Sequence, residues 1–272
     1  MYYFWKQDEN YFHNTFTSIM KNTIITATFT DQKESLKSII NNFQNEGYIL
    51  GNQDRNEIRV INLGAIELNI KSFKKPNIIN KIAYGYLRKS KAERSYKYAS
   101  ILKNKKIGTP TPIAYFENKD LLGLNSSYYI SEHINVDLTF RELVTDPEFP
   151  DHDTILRKFV HFTHSLHENN ILFNDHSPGN TLIKKINNVY HFYLVDLNRM
   201  TFKALDFNER MKNFSRLTPK KEMIQVMSDE YAKITGENFD SVFNEMWKQT
   251  ESFQEKFFRK KRLKRKLKFW KK

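Results

Sequence analysis

Two carboxylates and an amide carry the chemistry most readily read from this chain. Asp175 and Asn180 bracket the polar segment Asp175-His-Ser-Pro-Gly-Asn180, and Asp196 closes the apolar run Leu194-Val195 downstream. Phosphoryl transfer needs a carboxylate to orient the attacking hydroxyl and take its proton. It also needs oxygen ligands for Mg²⁺ and a cation for the nucleotide phosphates. Asp175 and Asn180 have the D-x-x-x-x-N spacing of a kinase-type catalytic loop, in which the aspartate meets the hydroxyl and the asparagine binds metal. Asp196, on an apolar strand that fixes a carboxylate better than a loop does, stands where the second metal ligand belongs. D-x-x-x-x-N alone recurs by chance. The order of helix, strand, Asp loop, hairpin, apolar strand and Asp is what points to phosphoryl transfer.

The elements around these residues follow from pattern. Tyr48–Leu50, Ile58–Leu63, Ile66–Phe73, Ile113–Glu117 and Tyr128–Glu132 are β-favouring runs, giving a sheet of about five strands. Residues 1–45 read as helical in pieces, with Leu36, Ile39, Ile40 and Phe43 at helical spacing. Pro76 opens a long helical region to about Lys105, inserted in the sheet. Asp153–Glu168 reads as a helix capped by Asp153. Thr181–Ile186 and Val189–Leu197, joined by Asn187-Asn188, read as a hairpin. From about Phe207 the chain is helical. The expected fold is α+β and two-lobed, with a small sheet-rich N-lobe over 1–133, a hinge near Ser131–His133, a helical C-lobe over 134–255 and a basic tail over 256–272.

Lys71 ends the alternating strand Ile66-Glu-Leu-Asn-Ile-Lys71, as a nucleotide-binding lysine would, while Lys74 and Lys75 read as solvated. Such a lysine needs a carboxylate from the following helix. Glu93 is the sole acid between Leu68 and Phe116, so any such pair in this helix falls to it. The basic groups of Arg210–Arg216 fit either an anionic acceptor or a solvated helix face. His161, His164 and His167 recur three apart on one helix, a spacing too loose for a metal site. His167 reads as a packing or hydrogen-bonding residue behind the Asp loop.

With these residues in place, the chain resembles the bacterial lipopolysaccharide core kinases, the Kdo and heptose kinase family, which have a protein-kinase-like fold. The resemblance rests on Ile70-Lys71-Ser-Phe73, Arg88-Lys-Ser-Lys-Ala92, Thr109-Pro-Thr-Pro-Ile-Ala-Tyr115, Asp175–Asn180 and Leu194-Val-Asp-Leu-Asn-Arg199, and covers about residues 45–225. It implies ATP- and Mg²⁺-dependent phosphorylation of an inner-core sugar, a lipid-linked acceptor. Asp175 would be the catalytic base, Asn180 and Asp196 the metal ligands, and Lys71 with Glu93 the nucleotide-binding pair. The resemblance places the helix carboxylate about one turn after Glu93, where Lys97 stands. The chain also lacks a glycine-rich loop after Gly51, has Phe173-Asn174 rather than a histidine before Asp175, and carries Ser177 where many kinases have a basic residue. The alternatives are a kinase acting on a small-molecule or protein acceptor, and a non-catalytic pseudokinase that binds a partner or membrane.

Composition narrows the class. With no Cys among 272 residues, disulfide scaffolds, Cys-ligated zinc, iron–sulfur clusters and thiol catalysis are excluded. The absence of a long apolar run or of a basic start followed by an apolar stretch predicts a cytoplasmic protein. The net charge is +13, and Lys256–Lys272 holds eleven Lys/Arg and no acid, so the rest of the chain is close to neutral. Leu263, Leu267 and Trp270 share a helical face within that tail. The tail reads as an amphipathic helix on an anionic membrane surface, peripheral to the inner membrane, or as a disordered polybasic segment. Lys71–Lys106 forms a second cationic zone, yet no nucleic-acid motif is visible and no nucleic-acid partner is expected.

Overall fold

The computed structural model describes residues 19–51 and 56–269. The chain forms two compact units, one of residues 1–61, 69–93 and 113–130, the other of 62–68, 94–112 and 131–272. Neither is a single stretch of sequence.

The first sheet has six strands: β1 (Ile19–Ile25), β2 (Tyr48–Ile49), β3 (Asn56–Leu63), β4 (Ile66–Phe73), β5 (Pro112–Asp120) and β6 (Gly123–Glu132), in the order β1-β5-β6-β4-β3-β2. The sequence pattern predicts five. The additional strand is β1, which pairs antiparallel with β5 from Ile19↔Lys119 to Ile25↔Ala114 where the sequence reads as helical. Helix α1 (Lys33–Asn41) follows, burying Leu36, Ile39 and Ile40 at i, i+3 and i+4. The helical region after Pro76 is broken in two: α2 (Ile78–Ile82), continued by a π turn (Ala83–Leu87), and α3 (Lys91–Asn104). The break falls at Ser90, a buried serine whose Oγ accepts from the Glu93 amide at 3.0 Å and so starts α3 anew.

In the second unit, β7 (Leu138–Thr139) leads into α4 (Phe140–Thr145), whose Thr139 and Glu142 form a reciprocal capping box. Helix α5 (His152–Glu168) begins one residue before Asp153, so Asp153 is not its cap. Its carboxylate instead accepts from Arg157 at 2.8 Å. After β8 (Ile171–Phe173) and the Asp175 loop come β9 (Thr181–Ile186) and β10 (Val189–Leu194). Their turn residues Asn187 and Asn188 both take positive φ, as the hairpin signal requires. β11 (Met200–Phe202) pairs with β8, and β7 joins the edge of β9. The helices α6 (Phe207–Phe214), α7 (Lys221–Thr235) and α8 (Phe239–Phe269) complete the chain. Phe140, Phe159, Phe214, Met227 and Met246 are among the fully buried residues of this unit's core.

Candidate active site

The Asp175 loop is held at both ends by short ladders. Before it, Phe173 pairs with Met200 across β8 and β11, and the Asn174 amide donates to the Arg199 carbonyl at 3.1 Å. After it, a single 3₁₀ turn over Pro178–Asn180 delivers Asn180 to the start of β9. Asn180 Nδ2 donates to the Asp175 carbonyl oxygen at 2.8 Å. That bond closes the loop and turns the amide oxygen of Asn180 the other way, as an oxygen ligand requires. The Val195 amide donates to the Asn180 carbonyl at 3.0 Å, tying the residue before Asp196 to the residue at the end of the loop. Asn180 and Asp196 are therefore brought together through the backbone, as the sequence order implies.

Asp196 itself has φ 57°, a left-handed conformation that aspartate tolerates because its short side chain bonds locally. Asn198, nearly buried, donates Nδ2 to Asp196 Oδ1 at 2.7 Å and fixes the carboxylate. Strand β10, which ends two residues earlier at Leu194, is braced by a neighbouring segment. The Leu194 amide donates to the Gly108 carbonyl at 2.9 Å, and Thr109 Oγ1 donates to the Leu194 carbonyl at 2.9 Å. A Cβ on Gly108 would lie 1.9 Å from the Phe192 carbonyl oxygen, so only glycine permits this approach. The Thr109-Pro-Thr-Pro segment thus serves the site from a distance of 85 residues in sequence.

Asp175 has partners that spacing did not reveal. Arg216 Nη1 lies 2.7 Å from Asp175 Oδ1 and also donates to the Asn174 carbonyl at 3.0 Å, while Arg199 Nη1 is 3.7 Å from Oδ2. The Arg216 guanidinium also sits over the Phe253 ring of α8. Within the basic segment Arg210–Arg216, then, Arg216 is committed to the loop aspartate. Arg210 is committed to Glu168 at 2.6 Å and to the Leu205 carbonyl, so neither is a freely solvated charge.

Behind the loop runs a buried relay. His167, fully buried, has Nδ1 3.0 Å from the Tyr231 hydroxyl and Nε2 3.2 Å from Asn213 Oδ1, and Asn213 Nδ2 donates to the Phe173 carbonyl at 2.9 Å. Because Asn213 presents its oxygen to the ring, Nε2 carries the proton, Nδ1 is the acceptor and Tyr231 donates to it. Burial pushes the His167 pKa down to about 4, consistent with this neutral tautomer. His176 is buried between the rings of Phe159 and Phe173, with centroids 5.3 and 5.6 Å away, and burial pushes its pKa down to about 3. Of the three α5 histidines, His161 Nε2 lies 2.8 Å from Glu230 Oε1 and His164 Nε2 3.6 Å from Glu168, while His167 is bonded to Tyr231 and Asn213.

In the first unit, Lys71 is half-buried near the end of β4 with Nζ 5.4 Å from the Phe73 ring centroid. Glu93 lies half-buried in the first turn of α3. The segment after Gly51 that stands in place of a glycine-rich loop, residues 52–55, lies outside the described residues.

No family model matches the chain, and no curated protein matches it. A solved structure does. WaaP in complex with acyl carrier protein shares 12% identity with this chain at a TM-score of 0.61, over 86% of this chain and 97% of that one. The fold is protein-kinase-like. The resemblance read from the sequence, to kinases of protein-kinase-like fold, holds at the level of the fold. The Rio2 kinase–ADP/Mg²⁺–phosphoaspartate complex from Chaetomium thermophilum also matches, with 12% identity, 86% of this chain, 73% of that chain and a TM-score of 0.45. In this kinase-like fold the residues sequence reasoning missed are Arg216, Arg199 and Asn198. Arg216 and Arg199 reach Asp175 through tertiary contacts, from 41 and 24 positions away, whereas Asn198 bonds Asp196 locally, two residues back.

Proposed function

We propose that this protein transfers the γ-phosphate of ATP to a sugar hydroxyl, Kdo or heptose, of the lipopolysaccharide inner core. The observation that carries this reading is the closed Asp175–Asn180 loop, tied by backbone to Asp196, in a chain whose fold follows WaaP over nearly all of that protein's length. Asp175 accepts the proton of the acceptor hydroxyl as its oxygen bonds to the γ-phosphorus and the bond to ADP breaks. Arg216 and Arg199 orient that carboxylate. The outward-turned amide oxygen of Asn180 and the Asn198-fixed carboxylate of Asp196 are hard oxygen donors that fit Mg²⁺. When bound, that ion neutralises phosphate charge. In the first unit, Lys71 is assigned to the nucleotide phosphates, with Glu93 as its carboxylate partner.

The acceptor is lipid-linked, and the end of α8 is assigned to an anionic membrane surface. Residues 255–266 are all exposed, Phe257 and Phe258 are about half exposed, and cations surround them. The side chain of Leu267 and the whole of Trp270 lie outside the described residues. No helix among the described residues is long and apolar enough to cross a membrane.

Mass spectrometry of the lipid A–core fraction from cells with and without this protein tests the reading. The core from cells lacking the protein should be lighter by one phosphate unit than the core from cells that have it. An unchanged core, with ATP turnover on another acceptor, assigns the fold to a different substrate. Nucleotide binding without turnover assigns it to a pseudokinase.

A further inference from the structure

The ten residues of α2 and its π turn are amphipathic, and the helix is mounted inside out. Ile78, Ile79, Ile82, Ala83, Tyr86 and Leu87 recur at i, i+1, i+4, i+5, i+8 and i+9, the stripe that a surface helix ordinarily turns to the core. Here the other side faces in. Lys81 pairs with Asp120 at the end of β5. A Cβ on Gly85 would lie 2.6 Å from the Gly123 Cα, and one on Gly123 would lie 2.3 Å from the Lys81 carbonyl oxygen. This glycine-on-glycine contact fixes the helix against the β5–β6 hairpin with its apolar stripe outward.

The exposed stripe is continuous with the hairpin tip, because the Tyr86 hydroxyl donates to the Leu121 carbonyl at 2.8 Å. Ile79 is 75% exposed, Leu87 80% and Leu121 79%, with Leu122 beside it at 55%. Side chains this exposed protrude; they do not line a groove. Exposed cations flank them, Lys74 and Lys75 before the helix and Arg88 and Lys89 after it. The nearest acid, Asp120, is taken by Lys81, and none occurs between Leu68 and Glu93.

We infer that this knob is a membrane contact separate from the tail: Ile79, Leu87, Leu121 and Leu122 enter the headgroup–acyl boundary of an anionic bilayer, and the four flanking cations meet its phosphates. An apolar patch with a polar rim marks an interaction surface. A protruding apolar surface is buried best by a medium that deforms around it, and a cationic rim matches anionic headgroups. An acidic protein partner would have to supply a cavity for four protruding side chains. The inference does not depend on catalysis.

The test uses the full-length protein and co-sedimentation with vesicles of phosphatidylcholine mixed with phosphatidylglycerol, against vesicles of phosphatidylcholine alone. The double variants Ile79→Ser/Leu87→Ser and Leu121→Ser/Leu122→Ser change exposed positions only, so their melting temperatures match wild type. Each should bind the mixed vesicles about tenfold more weakly. Because the chain has no cysteine, Leu87→Cys takes a single environment-sensitive fluorophore, whose emission should shift to the blue on mixed vesicles. Wild-type binding by both double variants, or an unshifted emission while the labelled protein sediments, overturns the inference and leaves the tail as the contact. Normal vesicle binding with loss of a soluble acidic partner also overturns it and makes the knob a protein-docking surface. Phosphotransfer by these variants, measured on soluble acceptor, reads the kinase assignment separately.

Discussion

At Asp175 two demands meet: in the proposed mechanism the residue accepts a proton from substrate, and it is held by two arginines. Arg216 is at 2.7 Å and also grips the Asn174 carbonyl, so it fixes the loop backbone as well as the carboxylate. Asp175→Asn should lower phosphate transfer by about 10² to 10⁴, the loss expected on removing an acid–base group. Asp196→Asn should abolish transfer where the metal is required. Both should fold. Losing the partly buried Asp175–Arg216 ion pair costs about 1–3 kcal/mol, read as a shift in denaturation midpoint. Wild-type turnover in either variant removes that residue from the mechanism. The three residues Asp175, Asn180 and Asp196 were legible because loop spacing and strand order are local. Arg216 and Arg199 were not, since nothing in sequence marks which of many polar side chains a fold will bring to a carboxylate; Asn198, two residues after Asp196, was overlooked although an amide so placed can bond locally.

Elements show the same division between local and distant causes. The hairpin at Asn187-Asn188 and the helix of α1 announce themselves by turn chemistry and by 3.6-residue periodicity. β1 does not: Ile19-Met-Lys-Asn-Thr-Ile-Ile25 lacks alternation, and as an edge strand it is fixed by pairing with β5 nearly a hundred residues away. β7 and β11 are two and three residues long and exist only through their partners. The helical run after Pro76 was legible as helix, but its interruption depends on the burial of one serine. The relay from Tyr231 through His167 and Asn213 to the Phe173 carbonyl shows what such distant contacts do, because it joins α7, α5 and α6 to the strand that enters the Asp175 loop. Tyr231→Phe leaves a buried acceptor on His167 without its donor and should destabilise the fold by about 1–3 kcal/mol in urea denaturation. Asn213→Leu removes both the His167 acceptor and the Phe173 donor and should cost more, with a larger loss of activity than of stability if the loop shifts. Equal melting of wild type and Tyr231→Phe would show that the relay carries no load.

Over the whole molecule, charge and burial set how the protein responds to its surroundings. The eleven cations of 256–272 leave the rest of the chain nearly neutral, and α8 runs on as one helix through Phe269. Deleting 256–272 should therefore spare folding while weakening sedimentation with anionic vesicles, and the wild-type binding should fall as salt rises through the range where the Debye length drops below about 8–10 Å. Salt-independent binding would assign the attachment to insertion of apolar side chains, either Phe257 and Phe258 or the knob around Ile79 and Leu87. Acid stability depends instead on the interior. His167 and His176 have folded pKa values of about 4 and about 3, against an ordinary value of 6.5. As pH falls below 6.5 the unfolded chain takes up protons at these two positions and the folded protein does not, so the equilibrium moves toward unfolding. Their stabilisation is complete above pH 6.5 and is lost progressively down to their folded pKa values. At pH 5 the loss is about 2 kcal/mol for each, since one pKa unit corresponds to about 1.4 kcal/mol. Carboxylates held below their ordinary 4.5 or 3.8, such as Glu230 and Asp229, act in the same direction only at lower pH, which leaves the window between 6.5 and 4.5 to the histidines. Denaturation midpoints measured across that window should fall steadily in wild type. In His176→Phe, where a ring of similar size occupies the space between Phe159 and Phe173, the slope should be roughly halved. An unchanged slope would mean that His176 is protonated in the folded state, and that its burial between the two rings does not exclude charge.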